Sequence, residues 1–427
     1  MRAETRNSAL LVAGVGTTAV LSMVYNAIAA RWIGPSEFAV FTTALSLVAL
    51  ANAAFGPING TLARFTAVYE TRGERGKIMS LSRGCLRLCR KYSLYAAIPA
   101  ILAAKPIAAA LKLDSIVPLL VTFAIVFITI GVSVSRGVLR GVQDFLQYNF
   151  NSVFEASTRL VAGIAILAVL PTASWGLGAF VVGGLATLIL SRRQLSRLWG
   201  ETQPEPIDVA VVKRYTLPMM ILMLSAAGYV NMDMLIIKNG LADAEAGIYG
   251  ATFTLARVIS VLVTPFNLVL LPLIASLHES GKPIAGAVGR IAGYFFLLVA
   301  GPTLVLVLKS DWIVNKIYGA EFAEAAALLL PLTIVRLISY TTYLLALASA
   351  STSSFRFLWI YVTGLCAQTA GMIIWSESPR QLIDVMLVCQ AATLVGMVVF
   401  FGLRTRVLKQ KRGQGDAQGQ AGPSAGA

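Results

Sequence analysis

The sequence has little charge and few of the side chains that enzymes and metal sites use. Charged residues make up 13% of its 427 residues, against roughly 25% in an ordinary soluble domain. One histidine and four cysteines are present, none in a CxxC or CxxH arrangement, so we expect no metal site and no cofactor. No GxxxxGK[ST], HExxH or GxSxG motif occurs, and no GxGxxG follows a strand. The segments between apolar runs are too short to fold around a core of their own, and these absences argue against an enzyme.

Apolar residues are abundant instead. They make up 57% of the chain, and the mean hydropathy is +0.76, which is typical of a multi-span membrane protein. The net charge of +15 would suggest nucleic acid as a partner of a soluble chain. Here the basic residues lie mostly between apolar runs, so we expect membrane lipids around the chain and no nucleic acid.

Twelve apolar runs have the length of a membrane-spanning helix, about 20 residues. The sequence therefore predicts an all-α transmembrane fold of about 12 helices. The predicted spans are 8–30, 38–58, 92–110, 116–135, 148–170, 175–190, 215–237, 246–271, 288–308, 325–347, 357–375 and 382–403.

The distribution of Lys and Arg predicts the orientation. With the first span uncleaved and the N-terminus inside, 25 of the 35 basic residues lie on the inner side or at the inner end of a span, 7 on the outer side or towards the outer end, and the remaining 3, Arg159, Arg257 and Arg336, within spans. This excess follows the positive-inside rule. Both termini are therefore predicted to be cytoplasmic.

The two halves of the chain resemble each other. An offset of 208 residues superposes Glu37 on Glu245, Pro57 on Pro265, and four further positions. An even number of spans separates them, so the halves are predicted to be parallel repeats, as in several transporter folds. We predict two six-helix lobes around a central cavity (1–190 and 215–404), a cytoplasmic linker (191–214) and a disordered tail (405–427).

An ionised group inside a membrane span is costly and therefore a candidate for function, and five charged residues inside predicted spans are such candidates. Arg257, Arg336 and Arg159 are candidate substrate-binding residues, because the arginine fork binds phosphate groups and stays charged. Asp233 and Glu155 are candidate ion-coupling residues. Other interpretations stay open: Glu155 and Arg159, four apart on one helix face, form a structural pair, and Asp233 pairs with an arginine or reaches the outer interface.

Short motifs add a family resemblance. The segment Ile33-Gly-Pro-Ser-Glu-Phe38, the pair Arg64-Phe65, Asp233 in the seventh span and the turn Glu245-Ala-Gly-Ile-Tyr249 are similar to motifs of the Wzx-type polysaccharide flippases. These flippases are a branch of the multidrug/oligosaccharidyl-lipid/polysaccharide exporter (MOP) superfamily. The similarity covers most of the chain, from residue 8 to about 404.

This resemblance implies a flippase of the bacterial inner membrane that exports an undecaprenyl-pyrophosphate-linked glycan, for lipopolysaccharide or exopolysaccharide. A polysaccharide polymerase and the export machinery would then be partners. The alternatives are a proton- or sodium-coupled drug exporter of the same superfamily and a membrane glycosyltransferase or polymerase. Drug exporters of this superfamily often carry an acidic residue in the first span, and 8–30 has none.

Overall fold

The computed structural model describes residues 2–199, 203–206, 209–261, 285–351, 355–375 and 377–420. Within these ranges the chain is helical and has no strand, as predicted. Twelve α-helices and one 3₁₀ turn, Ala320–Phe322, form the described part. The helices are α1 Arg2–Thr71, α2 Arg75–Ala110, α3 Val117–Gly141, α4 Phe145–Leu167, α5 Ala173–Trp199, α6 Val209–Gly240, α7 Asp243–Ala256, α8 Ala285–Leu308, α9 Ser310–Ile317, α10 Ala325–Ser351, α11 Leu358–Ile374 and α12 Pro379–Gln420.

Helix α1 contains the first two predicted spans, joined by a kink rather than a loop. Gly34 has φ 74° and ψ 174°, a conformation that glycine adopts without steric cost. Pro35 follows and cannot donate a backbone hydrogen bond, so the helix direction changes here. The Gly-Pro turn of the sequence motif is therefore this kink.

Every predicted span falls on helix in the described ranges, although not every span is a separate straight helix. Eight described helices are long and apolar enough to cross a membrane, or up to nine if one bent pair is a single span. That pair is 296–308 and α9, which meet at an angle of 77°. The count is below twelve because α1 holds two spans, α11 is short and α7 is interrupted.

The interruption of α7 falls at Arg257. The sequence predicts one span over 246–271, but regular helix ends at Ala256 and helical backbone resumes at 258–261. The rest of that predicted span lies outside the described residues, and so do Pro265 and His278. Arg257 itself keeps helical φ −68° and ψ −15°, and its amide donates to the Phe253 carbonyl oxygen at 3.2 Å. The interruption is therefore a single turn residue, and it lines a cavity.

The predicted linker is shorter than the sequence indicates. Helix α5 continues to Trp199 and α6 begins at Val209, because a polar stretch remains helical beyond the apolar run. Of the residues between them, 203–206 are described and irregular, and the Glu205 amide donates to the Gly76 carbonyl oxygen at 3.2 Å. Helix α12 likewise continues to Gln420, so disorder of the tail stays a prediction for 421–427, which lie outside the described residues.

Helices α1–α5 pack on one another, and α6–α12 form a second group. Helix α1 also packs on α6 and α7 of the second group, so the two groups meet along it. Phe41 and Tyr249, which the offset of 208 residues superposes, are both fully buried. The division into lobes stays a prediction, and this equivalence supports it.

The two helix groups are joined at the end of the bundle that carries the α1 kink. Arg31 donates through Nε to the Ile317 carbonyl oxygen at 2.8 Å and through Nη2 to that of Lys316. Lys238 Nζ donates to the Lys112 carbonyl oxygen at 3.2 Å and pairs with an oxygen of the Asp243 carboxylate at 2.5 Å. Each helix group thus supplies a basic side chain to backbone carbonyls of the other, and we call these contacts the kink-end contacts.

Candidate functional site: two chambers and two arginine clusters

A chamber of about 610 Å³ lies between the two helix groups. Residues from both segments of α1 line it, together with Phe180 of α5 and the region around the α7 break. Arg159 of α4 and Arg257 enter it from opposite groups. Its other polar residues are Ser22, Asn26, Thr42, Asn52, Thr254 and Ser260.

A second chamber of about 290 Å³ lies beside it, within the N-terminal helices. The two chambers share a wall of Ala19, Ser22 and Arg159. Both lie away from the α1 kink. The small chamber is lined by the beginning of α1, the end of α3 and the first half of α4, and the α1 residues that line the large chamber, within 16–26 and 42–52, are all at least eight positions from Gly34. We call them the large and the small chamber.

The first arginine cluster joins α3 and α4 through Glu155. One Glu155 carboxylate oxygen pairs with Arg136 Nη2 at 2.6 Å, and the other lies 4.0 Å from Arg159 Nη1. Arg136 Nε also donates to Asn151 Oδ1 at 2.8 Å. A tight turn places these groups together: α3 ends at Gly141 and the Asp144 side chain caps α4. The i,i+4 pair predicted from the sequence is thus the longer of the two contacts that Glu155 makes.

Arg159 is held in the wall between the chambers and is only 8% exposed. Its Nη2 donates to Ser22 Oγ at 2.6 Å, and its guanidinium lies 4.5 Å from the centre of the Phe180 ring. Its buried Nε has no hydrogen-bond partner among the described residues. A buried donor without a partner costs about 1–3 kcal/mol, so this atom is a candidate to bind an acceptor on a ligand.

The second cluster is built on a fully buried ion pair. Arg336 of α10 and Asp233 of α6 are both 0% exposed, and Arg336 Nη2 lies 2.5 Å from an Asp233 carboxylate oxygen. The Tyr249 hydroxyl donates to the same oxygen, and Arg336 Nη1 donates to the Tyr229 carbonyl oxygen at 3.2 Å. Of the interpretations left open for Asp233, the structure shows the pairing with an arginine. Neither side chain lines the two chambers.

Phe253 connects this pair to the large chamber. The guanidinium groups of Arg336 and Arg257 each lie 5.4 Å from the centre of its ring, within the range of cation–π attraction. In the described part of the chain, the Arg257 guanidinium has no carboxylate partner and no hydrogen bond. Arg257 is therefore the residue of this cluster whose positive charge is available to a ligand in the large chamber.

Each cluster holds two arginines and one carboxylate, and so has a formal charge of +1. In the first, Glu155 contacts Arg136 more closely than Arg159; in the second, Asp233 pairs with Arg336 and leaves Arg257. Both remaining arginines lie over the rings of phenylalanines that line the large chamber. The arrangement suits an anionic ligand that contacts both helix groups.

The structure thus brings the five predicted residues into two clusters and does not join them into one. Arg136 was missed, because the predicted span ends at residue 135 and leaves it in an inner loop, whereas α3 continues to Gly141. The sequence feature that could have identified Arg136 is its position just before the short turn between α3 and α4, which brings it close to Glu155. Phe180 and Phe253 carry no sequence signal that distinguishes them from other apolar residues.

The fold is that of the MOP superfamily transporters. A multidrug resistance MATE family transporter of that superfamily, in an inward-facing conformation, matches with a TM-score of 0.75 and 13% identity over 91% of this chain and 95% of the other. An outward-facing conformation of such a transporter matches at 0.67 and 13%, over 95% and 96%. The lipid II flippase MurJ, inward closed, matches at 0.70 and 11%, over 92% and 87%. These proteins are transporters and a flippase rather than enzymes.

The chain belongs to the polysaccharide biosynthesis protein family, whose model matches residues 5–278. A search of the curated proteins finds no match. The predicted fold class is therefore confirmed, and the family agrees with the predicted link to polysaccharide biosynthesis. The substrate is a separate question, which the two arginine clusters address.

Proposed function

We propose that this protein is a flippase that moves a lipid-linked oligosaccharide across the bacterial inner membrane by alternating access. The substrate is a glycan joined through pyrophosphate to a polyprenyl lipid, for surface or exopolysaccharide, including lipopolysaccharide. The observation that carries the proposal is the pair Arg159 and Arg257, which enter the large chamber from opposite helix groups.

The charges support a pyrophosphate ligand. Each phosphate of a pyrophosphate diester keeps one ionised oxygen at neutral pH, and each arginine cluster has a formal surplus of one positive charge. Arginine forms paired, charge-assisted hydrogen bonds to phosphate oxygens. The volume of about 610 Å³ lies within the roughly 300–1,000 Å³ of ligand pockets. It fits the headgroup and adjoining groups, while the lipid tail stays in the bilayer.

The position of the chambers supports an inward-facing state. The helix groups are in contact at the end with the kink, through Arg31 and Lys238, and both chambers lie away from that end. The TM-score is higher against the inward-facing MATE conformation than against the outward-facing one. With both termini cytoplasmic, the chambers are loaded from the cytoplasm, where such substrates are assembled, and a polymerase and export machinery use the product outside.

Coupling to an ion through Asp233 or Glu155 remains part of the proposal. Both carboxylates are already bonded to arginines, so a proton taken up by either one would release an arginine. A drug exporter would instead need a free carboxylate to bind a cationic drug, and neither of these carboxylates is free. The pairing favours an anionic substrate over the drug-exporter alternative.

The test replaces Arg159 and Arg257 with alanine, singly and together, in a strain that lacks the native copy. We expect loss of surface or secreted polysaccharide and accumulation of the lipid-linked intermediate, with normal amounts of protein in the membrane. Arg257→Lys keeps the charge but loses the planar guanidinium that binds phosphate through paired hydrogen bonds, so intermediate export is expected. Arg290→Ala, an exposed arginine of α8, is the control.

Full export by the Arg159→Ala/Arg257→Ala variant would refute the site. If the deletion strain makes normal polysaccharide, and the protein supports dye efflux that an uncoupler abolishes, the protein is a drug exporter and not a flippase. Chain extension by the purified protein would instead identify a polymerase.

A further inference from the structure

One face of α2 carries an exposed stripe that changes from basic to apolar along the helix. Three exposed arginines recur at intervals of four and three residues, a spacing that keeps them on one face. The same spacing continues through three apolar side chains that are 60–69% exposed. We call these six residues the α2 stripe: Arg83, Arg87, Arg90, Leu94, Ile98 and Ile101.

The stripe is turned away from the rest of the bundle. On the opposite face, Cys85 and Leu86 pack on a buried cluster that α1, α2 and α3 form together. The residues that line the two chambers include none of the stripe. In the described part of the chain, none of its three arginines pairs with a carboxylate. The stripe is therefore open to whatever surrounds the protein.

The length of the apolar half sets the depth of the arginines in the membrane. Lys105 is exposed on the same face, four positions after Ile101, and ends the apolar half. Arg90 and Lys105 are 15 positions apart, about 22 Å along the helix at 1.5 Å per residue, and a tilt of the helix only shortens this distance across the membrane. The hydrocarbon core is about 30 Å thick, so the basic side chains reach towards lipid phosphates or the bilayer thins around them. Arg87 and Arg90 therefore lie at the level of the lipid headgroups.

The arginines lie at the end of the bundle opposite the α1 kink. Helix α1 runs from the kink at Gly34 to Thr71, and α2 begins at Arg75 after a short turn. The chambers lie towards the same end. Next to the last arginine of the stripe, Lys91 Nζ lies 5.7 Å from the centre of the Tyr95 ring. Tyrosine is enriched where a membrane meets water, so the change from basic to apolar side chains coincides with the edge of the bilayer.

We propose that the α2 stripe binds an anionic phospholipid of the membrane leaflet at the chamber end. The arginines donate charge-assisted hydrogen bonds to the lipid phosphate, and the acyl chains lie along the apolar half. A lipid with net negative charge is favoured, because a zwitterionic headgroup carries an ammonium group that the arginines repel. An acidic protein outside the membrane would neutralise the arginines but would not cover Leu94, Ile98 and Ile101. This inference concerns the outside of the bundle and goes beyond the proposed function.

A polyprenyl pyrophosphate has similar chemistry, an anionic headgroup next to an apolar chain. The structure favours a resident phospholipid, because the stripe lies on the side of α2 away from the chambers. Helix α2 also has the least protein contact of the described spans: 11% of its apolar segment is buried, against 22–44% for the others. A phospholipid bound here supplies packing and charge pairing that neighbouring helices do not, and so holds α2 against α1 and α3.

The test measures lipid binding to the purified full-length protein by native mass spectrometry. The probes are phosphatidylglycerol, cardiolipin, phosphatidylethanolamine and undecaprenyl pyrophosphate. We expect the unaltered protein to bind the two anionic phospholipids at least about tenfold more tightly than phosphatidylethanolamine. Arg83→Gln/Arg87→Gln/Arg90→Gln keeps long side chains and helix propensity. It should weaken binding of both anionic phospholipids by about tenfold or more, and leave binding of phosphatidylethanolamine within about twofold.

A matched variant separates a site from the general attraction of a basic protein to anionic lipid. Arg72→Gln/Arg192→Gln/Arg197→Gln removes the same charge from exposed arginines at the same end of the bundle. These arginines belong to α5 and to the turn before α2, and they do not share one helix face. The variant should leave every affinity within about twofold of that of the unaltered protein.

Two results would overturn the inference. If the three phospholipids bind equally well, or if both triple variants lower the affinities equally, the stripe is not a phospholipid site. If the stripe variant weakens binding of undecaprenyl pyrophosphate but of neither anionic phospholipid, the stripe binds a polyprenyl pyrophosphate and the proposed occupant is wrong. The export assay of the Arg159 and Arg257 variants tests the proposed function separately, so failure of one does not imply failure of the other.

Discussion

The buried pair of Asp233 and Arg336 gives the sharpest prediction, because the two possible roles of Arg336 predict different effects of its replacement. The sequence alone makes it a candidate for substrate binding, whereas its position, 2.5 Å from Asp233 with no exposed surface, makes it a support of the fold. Removing one member of a buried ion pair typically costs about 3–5 kcal/mol, because the other charge is left without a partner.

Arg336→Met is the informative change, since methionine fills much of the same space without the charge. It leaves the Asp233 carboxylate with the Tyr249 hydroxyl, one neutral donor for a full charge. We expect the cost of about 3–5 kcal/mol, and a fall of roughly 5–10 °C in the apparent Tm of the purified protein. Asp233→Asn/Arg336→Met removes both charges and should recover more than half of that loss.

An exposed pair on α12 provides the control. Arg380 and Asp384 lie 3.4 Å apart with side chains 61% and 53% exposed, and such surface pairs contribute about 0–1 kcal/mol. Arg380→Met should therefore leave Tm within about 2 °C. If Arg336→Met keeps the Tm of the unaltered protein and still abolishes export, Arg336 binds substrate in another state and the structural role is wrong.

Two further predictions concern the end of the bundle that carries the kink. The assay is maleimide labelling of Ala39→Cys in a background without the native cysteines, because Ala39 is fully buried at that end. Arg31→Ala combined with Lys238→Ala removes the kink-end contacts. Each lost hydrogen bond destabilises the closed end by about 1 kcal/mol, so labelling should rise about fivefold or more. Unchanged labelling would show that these contacts do not hold the end closed. Gly247→Ala places a Cβ 2.5 Å from a backbone carbon of the α1 kink, so it should hold that end open and block export. Gly178→Ala, with no atom within 4 Å of its Cβ, should leave both unchanged.

Most of the fold could be predicted because burial of apolar helix in lipid dominates the energy of this chain. A run of about 20 apolar residues has few alternatives to a spanning helix, since backbone groups must be bonded internally. The exact helix ends could not be predicted: α5 and α6 continue into polar sequence, where lipid sets no boundary. The break at Arg257 lies within a continuous apolar run, so hydropathy gave no signal for it.

The members of the site could be predicted better than their contacts. Charges within spans are rare and costly, so Arg159, Asp233 and Arg336 stood out from sequence alone. Their partners depend on how helices distant in sequence rotate against one another. Asp233 and Arg336 are 103 residues apart, and Glu155 contacts Arg136 more closely than the arginine on its own helix face.

The internal repeat does not explain the two clusters. With the offset of 208 residues, Arg257 corresponds to Ala49 and Asp233 to Tyr25, so neither has a charged counterpart in the first half. Yet both halves have the same arrangement on different helices: one carboxylate pairs with one arginine, and a second arginine lies over a phenylalanine ring at the large chamber. Duplication alone would have produced charges at equivalent positions. A similar arrangement built from unrelated positions is instead what a shared ligand with an ionised group for each half would require.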